Sequence, residues 1–106
     1  MTEFMGLITG QYEAKEQGFN PGGASLHSMF TPHGPDATTF KKASNAESKP
    51  ERVAENTMAF MFETTLILSP TPYAMQLSQK RQPLYYKVWQ DLKPHFDPSK
   101  KEVVIE

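Results

Sequence analysis

Two stretches of the chain carry dense apolar patterning, and polar, proline- and glycine-rich segments surround them. Residues 4–8 (FMGLI) form a short apolar run closed by Gly10, which reads as a buried strand. Residues 57–68 (TMAFMFETTLIL) are the longest strand signal. Met58, Phe60 and Phe62 point one way and Ala59 and Met61 the other, so this pattern predicts a strand buried on both faces. Pro70 and Pro72 end it. Between the two runs, residues 12–23 pass from charged to glycine-rich, with Asn20-Pro21 and Gly22-Gly23 as breakers. Residues 25–28 read as a short extended piece and residues 32–35 (PHGP) as a rigid loop. Asp36 then offers an N-cap to a short helix with Ala37, Phe40 and Ala43 on one face. Residues 45–56 are polar and expected to be exposed. Pro83 opens a second helix, in which Tyr85, Val88, Trp89 and Leu92 recur at helical spacing, and Pro94 stops it. Residues 97–106 read as a polar, flexible tail, although the VVI of residues 103–105 could pair as an edge strand.

Strands dominate this pattern and the two helices are short. The fold class expected is mostly β, a sandwich or a jelly-roll barrel. A jelly roll needs about eight strands, and the pattern offers fewer. Core-like residues also begin almost at Met1, where chains usually fray. The expectation is therefore a part of a larger β structure.

Composition narrows the chemistry. The 106 residues carry a net charge of -1, with lysines and arginines scattered rather than gathered in a stripe, so no nucleic-acid partner is expected. No apolar run approaches the roughly 20 residues that cross a bilayer, and no secretory leader is visible, so no membrane partner and a cytoplasmic location are expected. The absence of cysteine excludes disulfides and thiolate ligands. Any metal must be held by nitrogen and oxygen.

Of the three histidines, His27 and His33 stand six residues apart. Pro32 and Pro35 restrict the backbone on both sides of His33, and metal sites gain from such preorganisation. Its plain alternative is a loop histidine bonded to backbone. His27 reads either as a satisfied, partly buried histidine or as a group beside an open coordination site. Glu3 is either a solvated carboxylate near the terminus or one aimed into a cavity. Tyr12 has a strand-end packing reading, and Trp89 that of a packing anchor. One carboxylate and two imidazoles match the ligand types of the facial triad of non-haem iron(II) oxygenases, of which spacing alone places only part.

Four blocks carry a family resemblance: EFMGLITGQYEAK, GFNPGGASLHSMFTPHGPDATTFKKAS, KPERVAENTMAFMFETTL and, more loosely, YYKVWQDLKPHF. Together and in order they resemble the C-terminal portion of the homogentisate 1,2-dioxygenases. Residues 67–83 and the tail look variable. The resemblance implies a cupin-like jelly-roll β-sandwich, incomplete on its N-terminal side, with residues 1–96 as the iron-site domain and 97–106 as the tail. It implies opening of the ring of homogentisate by O2 to give maleylacetoacetate, in tyrosine and phenylalanine breakdown. It implies non-haem Fe(2+) held by two histidines and a glutamate, of which the glutamate falls on Glu3 and the second histidine on His33. The first histidine would precede Glu3 by six residues, before Met1, and the family's acid/base histidine would lie further upstream. His27 takes the place of the active-site histidine beside the substrate, and Tyr12 that of a substrate-contacting tyrosine, with His33 also bordering the substrate. A hexamer built from trimers is implied for the whole protein. The short chain by itself is expected to bind iron weakly and to lack turnover. A different metal-dependent cupin enzyme and a truncated, non-catalytic β module stand as the alternatives.

Overall fold

The computed structural model describes residues 1–15, 17–52 and 55–100. The regular framework is a three-stranded antiparallel sheet with few helices. β1 (Thr2–Thr9) lies in the centre, between β2 (Ala24–His27) and β3 (Met58–Thr64). Central placement explains why the first apolar run is the core. β1 is paired on both edges, and its Met5 and Leu7 are the buried hydrophobic residues among those described.

Partners directly opposite on neighbouring strands share a face of the sheet. Glu3 pairs with His27 on one side and Glu63 on the other, and Met5 pairs with Ser25 and Met61. These residues define the face that carries the site. The opposite face carries Phe4, paired with Leu26 and Phe62, and Gly6, paired with Ala24 and Phe60. There the rings of Phe4, Phe60 and Phe62 pack in sequence, at centroid distances of 5.7 Å and 5.6 Å. Gly6 lets Phe60 lie close over β1, because a Cβ would stand 2.5 Å from the end of that ring in its present position.

The far end of β1 is clipped to the start of β3. Gly10 adopts φ +82°, and the Gln11 N–H donates to Thr57 Oγ1 at 3.0 Å while the Thr57 hydroxyl donates to the Gln11 carbonyl at 2.9 Å. The breakers in residues 20–23 turn the chain into β2 as their chemistry predicts, with Gly23 N bonded to Asn20 O at 2.8 Å. α1 (Ala37–Ser44) begins at the predicted cap: Asp36 Oδ1 accepts from Thr39 N at 2.7 Å.

Three expectations need correction. The strand predicted over residues 57–68 spans only Met58–Thr64, and its residues are exposed or half-buried rather than buried on both faces. The alternation fits it for burial, but β3 is an edge strand of a single sheet, and among the described residues no second layer crosses its apolar face. A radius of gyration of 16.7 Å, against about 13 Å for a compact domain of this length, expresses the same openness. The second helix is a single 3₁₀ segment, Tyr85–Trp89, and stops short of Leu92. A turn of π-helix, Tyr73–Leu77, follows Pro72 where no element was foreseen. The VVI of residues 103–105 lies outside the described residues. No helix among the described residues is long and apolar enough to cross a membrane.

Candidate metal centre

The strand register and one loop bring Glu3, His27 and His33 together. Glu3 and His27 come from the paired strands β1 and β2 and share a face. The chain leaves β2 through a turn closed by Thr31 N to Ser28 O at 3.1 Å, then runs through Pro32-His33-Gly34-Pro35 back over the same face. Asp36 N bonds Ala14 O at 3.2 Å, and the Trp89 indole N–H bonds Gly34 O at 3.0 Å, so the loop is held from two sides. Each of the three residues offers a ligand atom, and these atoms lie within 4.8 Å of one another.

The details separate the two imidazoles. His33 Nε2 stands 3.3 Å from Glu3 Oε2, with side chains only 24% and 17% exposed. Two ligands bound at roughly 2.1 Å and about 90° apart stand about 3 Å from each other, so this pair fits adjacent positions on one ion. The other ring nitrogen, Nδ1, lies 3.0 Å from the Thr31 carbonyl. A carbonyl can only accept, so that bond places a proton on Nδ1; Nε2 then donates to Glu3 when the ring is protonated and is free to bind an ion when it is neutral. Such an outer hydrogen bond commonly orients a metal-binding histidine. His27 stacks on His33, with centroids 4.0 Å apart and planes within 3° of parallel. Lone pairs of imidazoles lie in their ring planes. An ion in the plane of His33 would therefore stand off the plane of His27, so the two stacked rings do not both aim a lone pair at one point.

The electrostatics reinforce that division. The Thr31 carbonyl raises the proton affinity of His33 above that of an ordinary histidine; burial, the next largest effect, opposes it, and the Glu3 carboxylate adds to the rise. Burial, helped by the neighbouring His33, lowers the pKa of His27, with Glu3 opposing. His27 is thus held neutral near neutral pH, with one nitrogen able to donate.

These groups open onto a cleft of about 350 Å³, within the range of small-molecule sites. Tyr12 lines it, packed edge-on against Phe19 at 5.7 Å. Burial, and then Glu13 and Glu3, push the Tyr12 phenol upward, so it stays protonated and can donate. All four site residues picked from the sequence, Glu3, Tyr12, His27 and His33, therefore border one cleft. His95 lies apart and exposed.

The aromatic wall supplied by the 3₁₀ segment was missed. Tyr85 and Trp89 stand 6.1 Å and 6.2 Å from the His27 ring and 5.0 Å from each other. Their i, i+4 spacing on one face was visible in the sequence. The available signal was the indole N–H, which needs an acceptor when partly buried.

The donor set fits a hard or borderline divalent cation in part. One carboxylate and one correctly oriented imidazole are present, and further ligands would have to complete the shell.

The family profile described as "Homogentisate 1,2-dioxygenase C-terminal" matches residues 1–96. The chain is 54% identical over 101 residues to the homogentisate 1,2-dioxygenase of Mus musculus, covering 95% of this chain and 23% of that protein. It is 59% identical over 100 residues to that of Caenorhabditis elegans, covering 94% of this chain and 22% of that protein. With that of Homo sapiens it shares 54% identity over 101 residues. The chain thus spans under a quarter of the length of the curated relatives it matches. On this match the chain belongs to the homogentisate 1,2-dioxygenase family, within that family's C-terminal region.

Proposed function

We propose that this chain supplies one side of the metal centre of a non-haem iron(II) dioxygenase that opens the ring of homogentisate to maleylacetoacetate, in tyrosine and phenylalanine breakdown. The observation that carries the reading is the Glu3–His33 pair, 3.3 Å apart, with the His33 tautomer directed by Thr31. Glu3 and His33 would hold the iron, and a further histidine from outside these residues would complete the ligand set. Iron(II), when bound, would supply the Lewis acidity and electron transfer that ring opening by O2 needs.

The chain's own residues do the rest. Glu3 contributes a negative charge that favours the divalent metal. His33 keeps its ring in place and borders the substrate. His27, neutral and stacked beside it, is the catalytic residue that donates a hydrogen bond to the substrate or to oxygen and fixes its orientation. Tyr12 keeps its phenolic proton and donates it in a hydrogen bond to the acetate carboxylate of homogentisate. The Phe19, Met5 and Tyr85 side of the cleft excludes water from the ring.

The wider assignment follows the same reading. The three-stranded sheet is one part of a cupin-like jelly roll, whose second layer covers the Phe60–Phe62 face. Residues 1–96 form the iron-site domain and the remainder its tail. The whole protein is a cytoplasmic hexamer built from trimers. The 106 residues by themselves bind iron weakly and do not turn over.

The test is iron(II) titration read by oxygen uptake with homogentisate present. The 106-residue chain is expected to show no ring opening. A version extended upstream, with a histidine six residues before Glu3, is expected to show it and to lose it with Glu3→Ala or His33→Ala. Ring opening that survives both substitutions would refute the assignment, and full turnover by the short chain would refute the need for an outside ligand.

A further inference from the structure

We infer that Trp89 is a positioning residue for His33, acting through the Gly34 carbonyl that its indole N–H holds. The inference rests on the reading of Glu3 and His33 as metal ligands. The loop's prolines fix φ at Pro32 and Pro35 and bias Thr31 and Gly34 before them, but His33 is not so biased and Gly34, with no Cβ, is only partly restricted. Gly34 is the loosest point of the loop: nothing lies within 4 Å of where a Cβ would be, so no packing confines it. Its carbonyl is the group that Trp89 takes, at 3.0 Å and across 55 positions of sequence.

The indole is itself anchored. It packs edge-on against Tyr85 at 5.0 Å and against His27 at 6.2 Å. One side chain therefore fixes the peptide next to one imidazole and walls the other. The tethers to other elements on either side, Met29 N to Thr2 Oγ1 at 3.2 Å and Asp36 N to Ala14 O at 3.2 Å, hold the loop only before Pro32 and beyond Pro35. Without the indole bond, the Gly34 carbonyl turns to water and the loop samples arrangements in which His33 Nε2 does not face Glu3. Apparent metal affinity then falls by the fraction of time the competent arrangement is lost.

The 106-residue chain, without an affinity tag, is titrated with Zn(II) and followed by NMR of the histidine rings and the indole N–H. Trp89→Phe keeps an aromatic wall and removes the donor. It is expected to weaken Zn(II) binding about 2- to 5-fold, the value of one exposed hydrogen bond. In the Zn(II)-saturated chain it is also expected to broaden or shift the His33 ring signals while the amide signals of β1 and β3 stay in place, a combination that general destabilisation would not produce. Tyr86→Phe, on the same segment but 54% exposed, is the control and should bind as the unaltered chain does. Unchanged affinity and ring signals in Trp89→Phe, or equal weakening in Tyr86→Phe, would overturn the inference.

His33→Ala separates the two layers of the argument. If it binds Zn(II) as the unaltered chain does, the ligand reading fails and this inference falls with it. If it loses binding while Trp89→Phe does not, only the positioning role fails. A measurement on the unaltered chain guards against a variant that does not fold. Coupling is reciprocal, so Zn(II) should slow exchange of the Trp89 indole proton, and unchanged exchange in a Zn(II)-bound chain would overturn the inference.

Discussion

Two glycines on β1 and its end meet close neighbours of different kinds, and the difference sets a measurable contrast. At Gly10 an added Cβ would stand 2.3 Å from Thr57 Oγ1, 2.6 Å from the Asn56 carbonyl and 2.7 Å from Thr57 Cα. Two of those atoms are backbone and cannot swing aside. Gly10 also sits at φ +82°, where an L side chain costs roughly 1–2 kcal/mol. Relief requires the Gln11–Thr57 clip to open, losing two exposed hydrogen bonds worth about 0.5–1 kcal/mol each. Gly10→Ala should therefore destabilise the β1–β3 end by about 2–4 kcal/mol. At Gly6 the crowding atoms are the tip of the Phe60 ring, on an open face, with the Gly23 carbonyl farther off at 3.3 Å. The ring can rotate away, so Gly6→Ala should cost about 1 kcal/mol through weakened cross-strand packing. Amide exchange decides: protection of the Gln11 N–H and the β3 amides should fall about 30- to 1,000-fold in Gly10→Ala and about 5-fold in Gly6→Ala. An equal or smaller loss in Gly10→Ala would refute the distinction between backbone and side-chain crowding. The substitution should also displace Tyr12, two residues on, and so enlarge the mouth of the cleft.

Other outcomes follow from the same geometry. In an NMR titration of the metal-free chain His33 should titrate above the ordinary 6.5 and His27 below it, and the reverse order would contradict the roles given to Thr31 and to burial. His33's contribution to stability should then be full below pH 6.5 and lost as pH rises through its raised pKa, while that of His27 is full above 6.5 and lost as pH falls through its lowered one. Protons compete with metal for His33, so Zn(II) affinity should decline on acidification and begin to do so above pH 6.5, which a pH series of titrations would check. Asp36→Ala should weaken α1 by about 1 kcal/mol through the lost bond to Thr39 N, read as faster exchange of the first α1 amides. In a version that turns over homogentisate, Tyr12→Phe should raise KM several-fold with little change in kcat, and an unchanged KM would remove Tyr12 from the carboxylate site.

Local chemistry was legible in the sequence where a single residue type decides the backbone. Asp36 before an apolar helical pattern, Gly22-Gly23 before β2 and the paired prolines around His33 all act within a few residues, and each does so in the structure. Glu3, Tyr12, His27 and His33 were legible as candidates from residue type and resemblance, and they meet at one cleft. Their meeting depends on strand register, which no short window of sequence contains. Burial of β3 was misread because alternation shows which layers a strand could contact and not which are present. The helix from Pro83 was drawn too long because Leu92 continues the spacing, while the backbone at Leu84, φ -101° and ψ 14°, enters a 3₁₀ segment instead. The Trp89–Gly34 bond was invisible because it joins the 3₁₀ segment to a loop distant in sequence through one side-chain donor.

The direct pairing of Glu3 with His27 also makes the site a check on folding. A slip of β1 against β2 by one residue would carry Glu3 to the Phe4 side of the sheet and leave His33 facing an aromatic ring. Apolar patterning resists that slip only weakly here, since β1 bears apolar residues on both sides and one side lies open. The carboxylate and the imidazoles resist it strongly, because only one alignment puts a negative group under Nε2. A bound cation would therefore stabilise correctly paired chains over shifted ones, and would act during assembly as a selector of strand alignment before any chemistry takes place.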